Sequence, residues 1–298
     1  MGYIEGSNVL KGDTERNNFL ERDAARPKVG HIEFLNCLPL YYALVSNGSL
    51  FDMNLVKGNP AELNKLLLDG ELDIGPISSI EYARNCEKFL LLPEITVSSD
   101  YDVKSILLIS KFRPQELGGK KVALSNASAT SQALVQIILK EVYGVSPTYF
   151  SRPSDLSTML READAALLIG DDALRALYNR NGLLILDLGM EWRRLTGKKM
   201  VYAVWVAQRK FAMENPHLVK EVYEALSKSK DYSLENIDQI AEKASRWEEF
   251  SAEFLRDYFL GLRFCFDKEY QEGLSCFYQK TKHYGFLEKM PCFEFAEI

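Results

Sequence analysis

The sequence predicts a two-lobed α/β protein, because two successive α/β units are followed by a region that is mainly helical. From Val29, short apolar runs alternate with amphipathic segments, and this pattern restarts after a connector at 113–119. After Asn215-Pro216 the pattern is helical almost throughout, to about Gly285. Strands that alternate with helices favour a mainly parallel sheet covered on both faces. The 298 residues suffice for two ordinary domains, and two lobes would enclose a cleft.

The first unit begins with an alternating strand pattern at 29–34. Pro39 suits the first position of a helix that runs through Val45. Asn59-Pro60 predicts the start of a second helix, which Gly70 can end in the left-handed conformation. Further strands are predicted at 51–56, 72–75, 89–92 and 105–110.

The boundaries of the later helices are marked by capping residues. Ser78-x-x-Glu81 has the form of a capping box and predicts a helix after the strand at 72–75. In the second unit, Ser125-Asn126-Ala127-Ser128 leads into a long amphipathic helix at 129–142. The strands of this unit are predicted at 121–124, 149–150, 165–169, 183–186 and 201–207.

Composition and charge exclude several classes of protein. The chain is 47% hydrophobic and 26% charged, which excludes disorder, collagen-like repeats and coiled coil as its main theme. A net charge of −6 argues against a nucleic-acid-binding protein, which usually has a basic face. Five cysteines without a C-x-x-C pair indicate a reduced, cytosolic protein. Residues 1–27 have no signal-peptide pattern and are interpreted as a flexible extension, and no membrane-spanning segment is predicted.

Four loops at predicted strand ends are candidates for a binding site. They contain Asn36-Cys37, Ser78-Ser79, 125–131 and Gly170-Asp171-Asp172, and three of them precede helices. Backbone N–H groups at a helix start, together with hydroxyl groups, can bind a carboxylate or a phosphate. The same residues are also ordinary helix caps, and for a single loop that simpler interpretation is the stronger one. Several such loops facing one cleft would favour a small anion as the ligand.

The sequence contains no motif for a metal or for a common cofactor. His31, His217 and His283 are isolated, so a metal hydrolase is not predicted. Dinucleotide, P-loop and nucleophile-elbow motifs are all missing. His31 and Cys37 are interpreted as structural residues, and Asp171 and Glu191 as surface or helix-end acids. The sequence therefore predicts no cofactor and no metal.

The segment 29–42, VGHIEFLNCLPLYY, strongly resembles the opening of the chorismate dehydratase family, which acts in the futalosine route to menaquinone. The resemblance extends over most of the chain after residue 28 and is specific, because many matching segments follow in the same order. These segments are GELDIGP (70–76), VKSILLIS (103–110), VALSNASATS (122–131), ADAALLIGD (163–171), DLGMEW (187–192) and YAVW (202–205).

The resemblance implies a type II periplasmic-binding-protein fold, with two α/β lobes joined by a hinge and used in the cytoplasm as an enzyme. The expected first lobe comprises 28–110 and 203–298, and the second lobe comprises 111–202. The sequence departs from the family at 195–200, where LTGKKM replaces a more apolar segment, and at Ser125, where relatives often have a smaller residue. Lys198 and Lys199 could therefore adjust lobe closure, or they could simply be solvated.

The implied reaction is the loss of water from chorismate to give 3-[(1-carboxyvinyl)oxy]benzoate. The functional Asn and Ser of the family fall on Asn36 and Ser105, which are expected to be catalytic. The substrate, a dianion, is expected to be bound by groups on the four loops, with no nucleic acid, membrane or obligate protein partner. These residues are Ser78, Ser79, Ser125, Asn126, Ser128, Thr130, Ser131, Gly170 and Asp171.

Two other classes of function remain open at this stage. The same fold serves small-carboxylate binding and sensing proteins, although a regulator would need a basic helix-turn-helix and an uptake protein would need export. The later dihydroxynaphthoate-forming enzyme of the same pathway is the nearest enzymatic alternative. The segment 34–39, FLNCLP, points away from that enzyme.

Overall fold

The computed structural model describes residues 26–46, 53–179 and 182–298, and each of its two lobes is built on one sheet. The six-stranded sheet of the first lobe has the order β11-β4-β10-β3-β1-β2, and the five-stranded sheet of the second lobe has the order β7-β6-β8-β5-β9. The strands are β1 Lys28–Ile32, β2 Asn54–Gly58, β3 Ile74–Ser78, β4 Phe89–Ser99, β5 Ile106–Ser110, β6 Lys121–Ser125, β7 Thr148–Arg152, β8 Ala165–Ile169, β9 Leu184–Asp187, β10 Met200–Gln208 and β11 Leu262–Arg263. The predicted two-lobed α/β class is confirmed.

Helices cover the faces of both sheets and form most of the C-terminal region. Short 3₁₀ helices lie at Leu35–Cys37, Cys86–Lys88 and Pro114–Glu116. The α-helices are α1 Leu38–Ser46, α2 Pro60–Leu68, α3 Ser79–Arg84, α4 Ala129–Glu141, α5 Leu156–Glu162, α6 Gly170–Asn179, α7 Leu188–Thr196, α8 Arg209–Glu214, α9 Pro216–Glu235, α10 Ile237–Ala244, α11 Ala252–Gly261 and α12 Lys268–His283. None of the helices in the described ranges has the length and apolar character needed to cross a membrane.

The prediction of mainly parallel sheets is wrong, because both sheets are mixed. In the first sheet β1 pairs in parallel with β2 and β3, but β10 runs antiparallel to both β3 and β4. In the second sheet β6 is parallel to β7 and β8, whereas β5 is antiparallel to β8 and β9. The physical reason is that the chain leaves one lobe and returns to it, so β5 and β10 enter their sheets from the opposite direction. The periodicity of a strand in the sequence does not indicate whether the strand pairs in parallel or antiparallel with its neighbours.

The predicted lobe boundary at residue 110 also needs correction. The strand β5 was expected to complete the first lobe, but it lies between β8 and β9 in the second sheet. All five of its residues are buried, so its apolar run fits the centre of either sheet equally well. Between β4 and β5 the chain crosses at 100–105, and it returns before β10 at 197–199. We refer to 100–105 and 197–199 as the crossing segments.

Local signals in the first lobe agree with the sequence with one exception. Asn59 caps α2 in a capping box with Glu62, and Gly70 adopts a left-handed φ of 76°, as predicted. Ser78 precedes α3 but makes no side-chain cap, so the predicted capping box is wrong. Its Oγ instead accepts a bond from Asn64 Nδ2 at 3.0 Å. The buried amide of Asn64 needs this partner, and that need overrides the capping pattern. The start of the predicted strand at 51–56 lies outside the described residues.

The C-terminal helices pack onto the first lobe and contribute to its core. Helix α9 packs along α1, and β11 extends the first sheet at the edge of β4. Four aromatic side chains of this region are buried in that core, namely Tyr258, Phe259, Phe264 and Phe266. This region therefore stabilises the lobe whose loops face the cleft.

The crossing segments are held by two buried or half-buried aspartates. Asp187, which ends β9, accepts bonds from the backbone N–H groups of Val103 and Lys104 at 3.1 and 2.7 Å. The same carboxylate caps α7 through the N–H groups of Gly189 and Met190. One carboxylate thus joins the first crossing segment to the start of α7, the helix that precedes the second crossing segment.

The second aspartate, Asp100, is at the start of the first crossing segment. It accepts bonds from the Tyr270 hydroxyl at 2.7 Å and from Arg263 Nε at 3.0 Å. Lys199, in the returning segment, lies 3.5 Å from Asp100 and pairs with Glu269 at 2.7 Å. Lys199 is therefore paired at the point where the chain returns, and it is not a freely solvated lysine.

Candidate active site

A narrow pocket of about 40 Å³ lies between the two lobes. It is far smaller than the roughly 300–1,000 Å³ of pockets that hold a drug-sized ligand. All of the described residues that line it have uncharged side chains. They are Ile32, Phe34, Asn36, Pro60, Ser78, Val97, Val103, Ser105, Ile106, Ser128, Ser131, Ile169, Gly170, Tyr202 and Ala203. The lobes are thus in a closed arrangement around a neutral site.

The structure brings six of the eleven predicted site residues together in this pocket. They come from the loop after β1, the end of β3, the first crossing segment, the start of α4 and the start of α6. These six residues are Asn36, Ser78, Ser105, Ser128, Ser131 and Gly170.

Asn36 lies in the 3₁₀ turn Leu35–Cys37, directly after β1. The turn is closed by a bond from the Cys37 N–H to the carbonyl of Phe34 at 3.0 Å. The Asn36 Oδ1 atom is buried and has no hydrogen-bond partner among the described residues. A buried carbonyl without a partner costs free energy, which indicates that this amide is held ready for another molecule.

Ser105 is the last residue of the first crossing segment and is only 2% exposed. Its hydroxyl donates to the carbonyl of Val103 at 3.2 Å, a long bond that a ligand can replace. Behind it lies Tyr258 of α11, which is 1% exposed and faces the Ser105 hydroxyl. The Tyr258 hydroxyl has no hydrogen-bond partner of ordinary geometry within the described ranges.

Ser128 and Ser131 bring the first turn of helix α4 to the pocket. The Ser128 hydroxyl caps the helix by accepting from the N–H of Ser131 at 3.3 Å, and the two hydroxyl groups are 2.9 Å apart. The positive end of a 13-residue helix therefore faces the pocket. Ser78 faces it from the first lobe, although its polar groups are already bonded to Asn64.

Three of the predicted binding residues lie outside the pocket. Ser79 is fully buried and donates to the carbonyl of Val201, so it has a structural contact. Ser125 is also fully buried, and its oxygen accepts from the N–H of Ala127. The Asn126 side chain is exposed.

Two further predicted residues bridge the lobes without lining the pocket. Thr130 Oγ1 accepts from the Ile80 N–H at 3.2 Å, which joins α4 to α3 across the cleft. Asp171 Oδ1 accepts from the Leu35 N–H at 3.0 Å, which joins α6 to the turn that carries Asn36. Both residues therefore hold the closed arrangement of the lobes.

Sequence reasoning missed two aromatic residues of the pocket. The Phe34 ring lies against Gly170, where a Cβ atom would be 2.7 Å from the Phe34 Cδ2 atom. Gly170 also has a left-handed φ of 60°, so only glycine suits this position. Tyr202, on β10, shares a bond of 2.9 Å with Ser99 at the pocket wall. Both aromatics lie within the segments that resemble the family, which was the one available signal for them.

Burial controls the ionisation of the groups that surround the pocket. It raises the pKa of Asp171 to about 6, although the bond from the Leu35 N–H opposes this shift. Burial also raises the pKa of the Cys37 thiol far above its usual range, so this residue is not a thiolate nucleophile. His31 stacks on Tyr41 at 4.0 Å, and burial lowers its pKa to about 4. The structural interpretation of Cys37 and His31 that was made from the sequence is therefore retained.

Within the part of the chain that the structure describes, no group of three or more His, Cys, Asp or Glu side chains could hold a metal ion. The described residues that line the pocket offer hydroxyl, amide and backbone donors beside apolar side chains. Such donors stabilise negative charge that is present on a ligand or develops during a reaction.

The fold and the cleft define the class of protein. The alkanesulfonate-binding protein SsuA from Xanthomonas axonopodis pv. citri, solved bound to MOPS, matches with a TM-score of 0.68. The match has 15% sequence identity and covers 91% of this chain and 96% of that chain. The protein therefore has the two-lobed α/β fold of periplasmic binding proteins.

Sequence comparison identifies the family. Residues 27–283 match the profile of the family described as menaquinone biosynthesis, and the chain belongs to this family. Chorismate dehydratase from Thermus thermophilus is 32% identical over 268 residues, which cover 85% of this chain and 94% of that protein. Chorismate dehydratase from Campylobacter jejuni is 29% identical over 195 residues, which cover 64% of this chain and 72% of that protein.

Proposed function

We propose that this protein is a lyase that removes water from chorismate to give 3-[(1-carboxyvinyl)oxy]benzoate, the first step of the futalosine route to menaquinone. Membership of the menaquinone biosynthesis family and the two chorismate dehydratase relatives support this activity. The observation that carries it is the neutral pocket in which Asn36 and Ser105 meet between the lobes. A cytoplasmic location follows as part of the same proposal, because biosynthetic use of chorismate takes place there.

The charge of the substrate fits the pocket. Chorismate carries two carboxylates, and all of the described residues lining the site are uncharged. The first turn of α4, with Ser128 and Ser131, offers hydroxyl groups and the positive end of a helix to one carboxylate. Carboxylates in the lining would repel a dianion, and the described lining residues include none.

The reaction requires the loss of a ring proton and of the neighbouring hydroxyl group. The proton leaves the carbon that bears the enolpyruvyl ether, its electron pair forms a new ring double bond, and the hydroxyl group leaves as water. The product ring is aromatic, and this gain drives the reaction forward. The protein must mainly orient the substrate and stabilise the charge that develops.

Asn36 and Ser105 are assigned to the reacting region. The amide of Asn36 holds the leaving hydroxyl group, because its carbonyl oxygen is buried in the pocket without a partner. The Ser105 hydroxyl exchanges its long bond to Val103 for a bond to the substrate. The substrate's own enolpyruvyl carboxylate accepts the ring proton, because the described lining residues offer no carboxylate, histidine or thiolate base. The carboxylic acid formed in this way passes the proton to the departing hydroxyl group, which leaves as water, and the carboxylate is regenerated.

Chorismate binding requires the lobes to open, because the closed pocket is too small to admit it. Binding then involves reclosure, which excludes water from the reacting groups. X-ray scattering should give a smaller radius of gyration with bound chorismate than without it, and an unchanged radius of gyration would contradict this opening.

The test is to mix the purified protein, treated with a chelator, with chorismate and to follow the products by chromatography with mass detection. The expected result is a product that has lost one water, and the variants Asn36→Ala and Ser105→Ala should lose most of this activity. Unchanged chorismate together with a raised melting temperature would instead identify a binding or sensing protein. Unchanged chorismate without stabilisation would refute chorismate as the ligand.

A further inference from the structure

Helix α6 of the second lobe contacts the first lobe and its C-terminal helices at both of its ends. Near its C-terminal end, Tyr178 packs edge-on against Phe250 and Phe254, with ring centroids 5.5 and 5.0 Å away. Arg175 pairs with Glu249 at 2.6 Å on the same side. These contacts hold the helix against the C-terminal region in the closed arrangement.

The N-terminal end of α6 contacts the turn that carries Asn36. The Phe34 ring fills the space next to Gly170, and Asp171 accepts a bond from the Leu35 N–H at 3.0 Å. Leu35 is the first residue of the 3₁₀ turn, so its N–H has no partner within the turn itself. The acceptor for this group is supplied by the opposite lobe.

The position of the Asn36 amide depends on this turn. Its Oδ1 atom has no hydrogen-bond partner among the described residues, so side-chain bonds at this atom do not fix its direction. The backbone of Leu35–Cys37 must set it, and one end of that backbone is tied to Asp171. The other end is tied within the first lobe, by the bond from the Cys37 N–H to Phe34.

We propose that Asp171 is a positioning residue for the dehydration, which fixes the turn carrying Asn36 only when the two lobes are closed. The inference rests on the proposed function. It replaces the expectation that Asp171 binds substrate, because its carboxylate is bonded to Leu35 and does not line the pocket. An ionised carboxylate in direct contact with a dianion would also weaken binding.

The first experiment compares Asp171→Ala with Asp171→Asn in the chorismate assay. Loss of the acceptor in Asp171→Ala should lower kcat about tenfold or more, with KM changed by less than about threefold, since the Asn36 contact matters most in the transition state. Asp171→Asn keeps an oxygen that accepts from the Leu35 N–H, so kcat should stay within about threefold of wild type.

Other outcomes of this comparison would overturn the proposal. If both variants lose activity equally, Asp171 acts through its charge or as a proton carrier. If KM rises and kcat is unchanged, Asp171 contacts the substrate. The matched control is Asp172→Ala, since Asp172 is the next residue, is 40% exposed and pairs with Arg175 at 3.0 Å. Its kcat should stay within about twofold of wild type.

The second experiment does not depend on turnover, so it tests Asp171 even if chorismate is not the substrate. Amide hydrogen exchange is measured by mass spectrometry on the free protein, on a peptide that spans 33–38. The protection of this segment should fall in Asp171→Ala and should be retained in Asp171→Asn and in Asp172→Ala. Unchanged protection in Asp171→Ala would refute the role of this carboxylate in holding the turn. Failure of wild type to dehydrate chorismate would refute the proposed function alone.

Discussion

The pocket and the crossing segments next to it differ in the charge of their side chains and in how fully their polar groups are hydrogen-bonded. Around the pocket, the described lining residues are all uncharged, and Asn36 keeps a buried carbonyl oxygen without a partner. At the crossing segments, Asp187 of β9 accepts bonds from four backbone N–H groups, and Asp100 is bonded to Tyr270 and Arg263. Carboxylates are thus paired where the chain crosses between the lobes. In the pocket, by contrast, a buried hydrogen-bond acceptor is left without a partner, where a ligand could bind it.

Under the proposed function, this difference explains how a binding-protein fold binds an anion and acts on it with only uncharged side chains among the described lining residues. Paired carboxylates at the crossing segments fix the backbone from which Ser105 projects. Under the proposed function, the substrate brings its charges into a pocket whose described lining residues are uncharged, and neutral donors with helix N-termini stabilise these charges.

The largest expected effect comes from placing a charge in the pocket. Asn36→Asp is nearly isosteric, but it removes the N–H donor and sets a carboxylate against the substrate's carboxylates. We expect kcat/KM for chorismate to fall by about 10³-fold, a loss comparable to that of one oxyanion-hole donor. The assay is product formation at several substrate concentrations.

The control for Asn36→Asp is Asn126→Asp, because Asn126 is exposed and lies outside the pocket. This control adds the same charge to the protein, and its kcat/KM should remain within about twofold of wild type. Equal losses in the two variants would mean that overall charge, and not the neutrality of the pocket, controls activity.

The second effect is on stability and concerns Asp187. Asp187→Ala removes a helix cap and leaves the N–H groups of Val103 and Lys104 without their acceptor. The free energy of unfolding should fall by about 3 kcal/mol, measured by urea denaturation. Asp155→Ala removes the exposed cap of α5 and should cost clearly less than Asp187→Ala. Similar losses in the two variants would contradict a special role for the crossing segments.

The third effect tests the hydroxyl group of Ser105. Ser105→Ala removes a donor from the reacting region without adding bulk, so kcat should fall about 10- to 100-fold. Ser110→Ala is the matched control, because Ser110 is also buried but bonds to the carbonyl of Phe112 at the far end of β5. Its kcat should be close to wild type. A comparable fall in kcat in both variants would show that losing a buried hydroxyl group at either end of β5 is enough to lower activity. Ser105 would then have no demonstrated catalytic role.

The smallest effect is a pH dependence at Asp171. Burial raises its pKa to about 6, above the usual value of about 4, so the protonated form is favoured in the folded state. This contribution to stability is fully present below about pH 4 and is lost as the pH rises through 6. Asp171→Asn cannot ionise, and it should therefore gain about 1–2 kcal/mol over wild type between about pH 4 and pH 7. Urea denaturation at these two pH values measures the difference in the free energy of unfolding between Asp171→Asn and wild type. A difference that does not change with pH would refute the raised pKa of Asp171.

The sequence predicted the element order well but could not assign strands to sheets. Short apolar runs such as 165–169 matched the observed strand, and Asn59-Pro60 and Gly70 marked the ends of α2. The placement of β5 was wrong, because a fully buried strand carries no record of which neighbours pair with it. Its pairing depends on where the chain crosses between lobes, which is a property of the whole fold.

The candidate site was predictable only in part for a related reason. Ser, Asn and Gly at strand ends marked the right loops, and the resemblance to the family singled out Asn36 and Ser105. The sequence could not separate Ser128, which lines the pocket, from Ser125, which is buried behind it. Phe34 and Tyr202 were missed, because aromatic residues in strands and adjacent loops are ordinary core residues unless the cleft is known.

The contact between Phe34 and Gly170 limits how far the two lobes can approach. The aromatic ring occupies the space of the Cβ atom that any other residue would carry at this position. An added methyl group at residue 170 would hold the two lobes apart, and water would then reach the reacting groups. The exclusion of water from the closed cleft therefore depends on the smallest side chain in the protein.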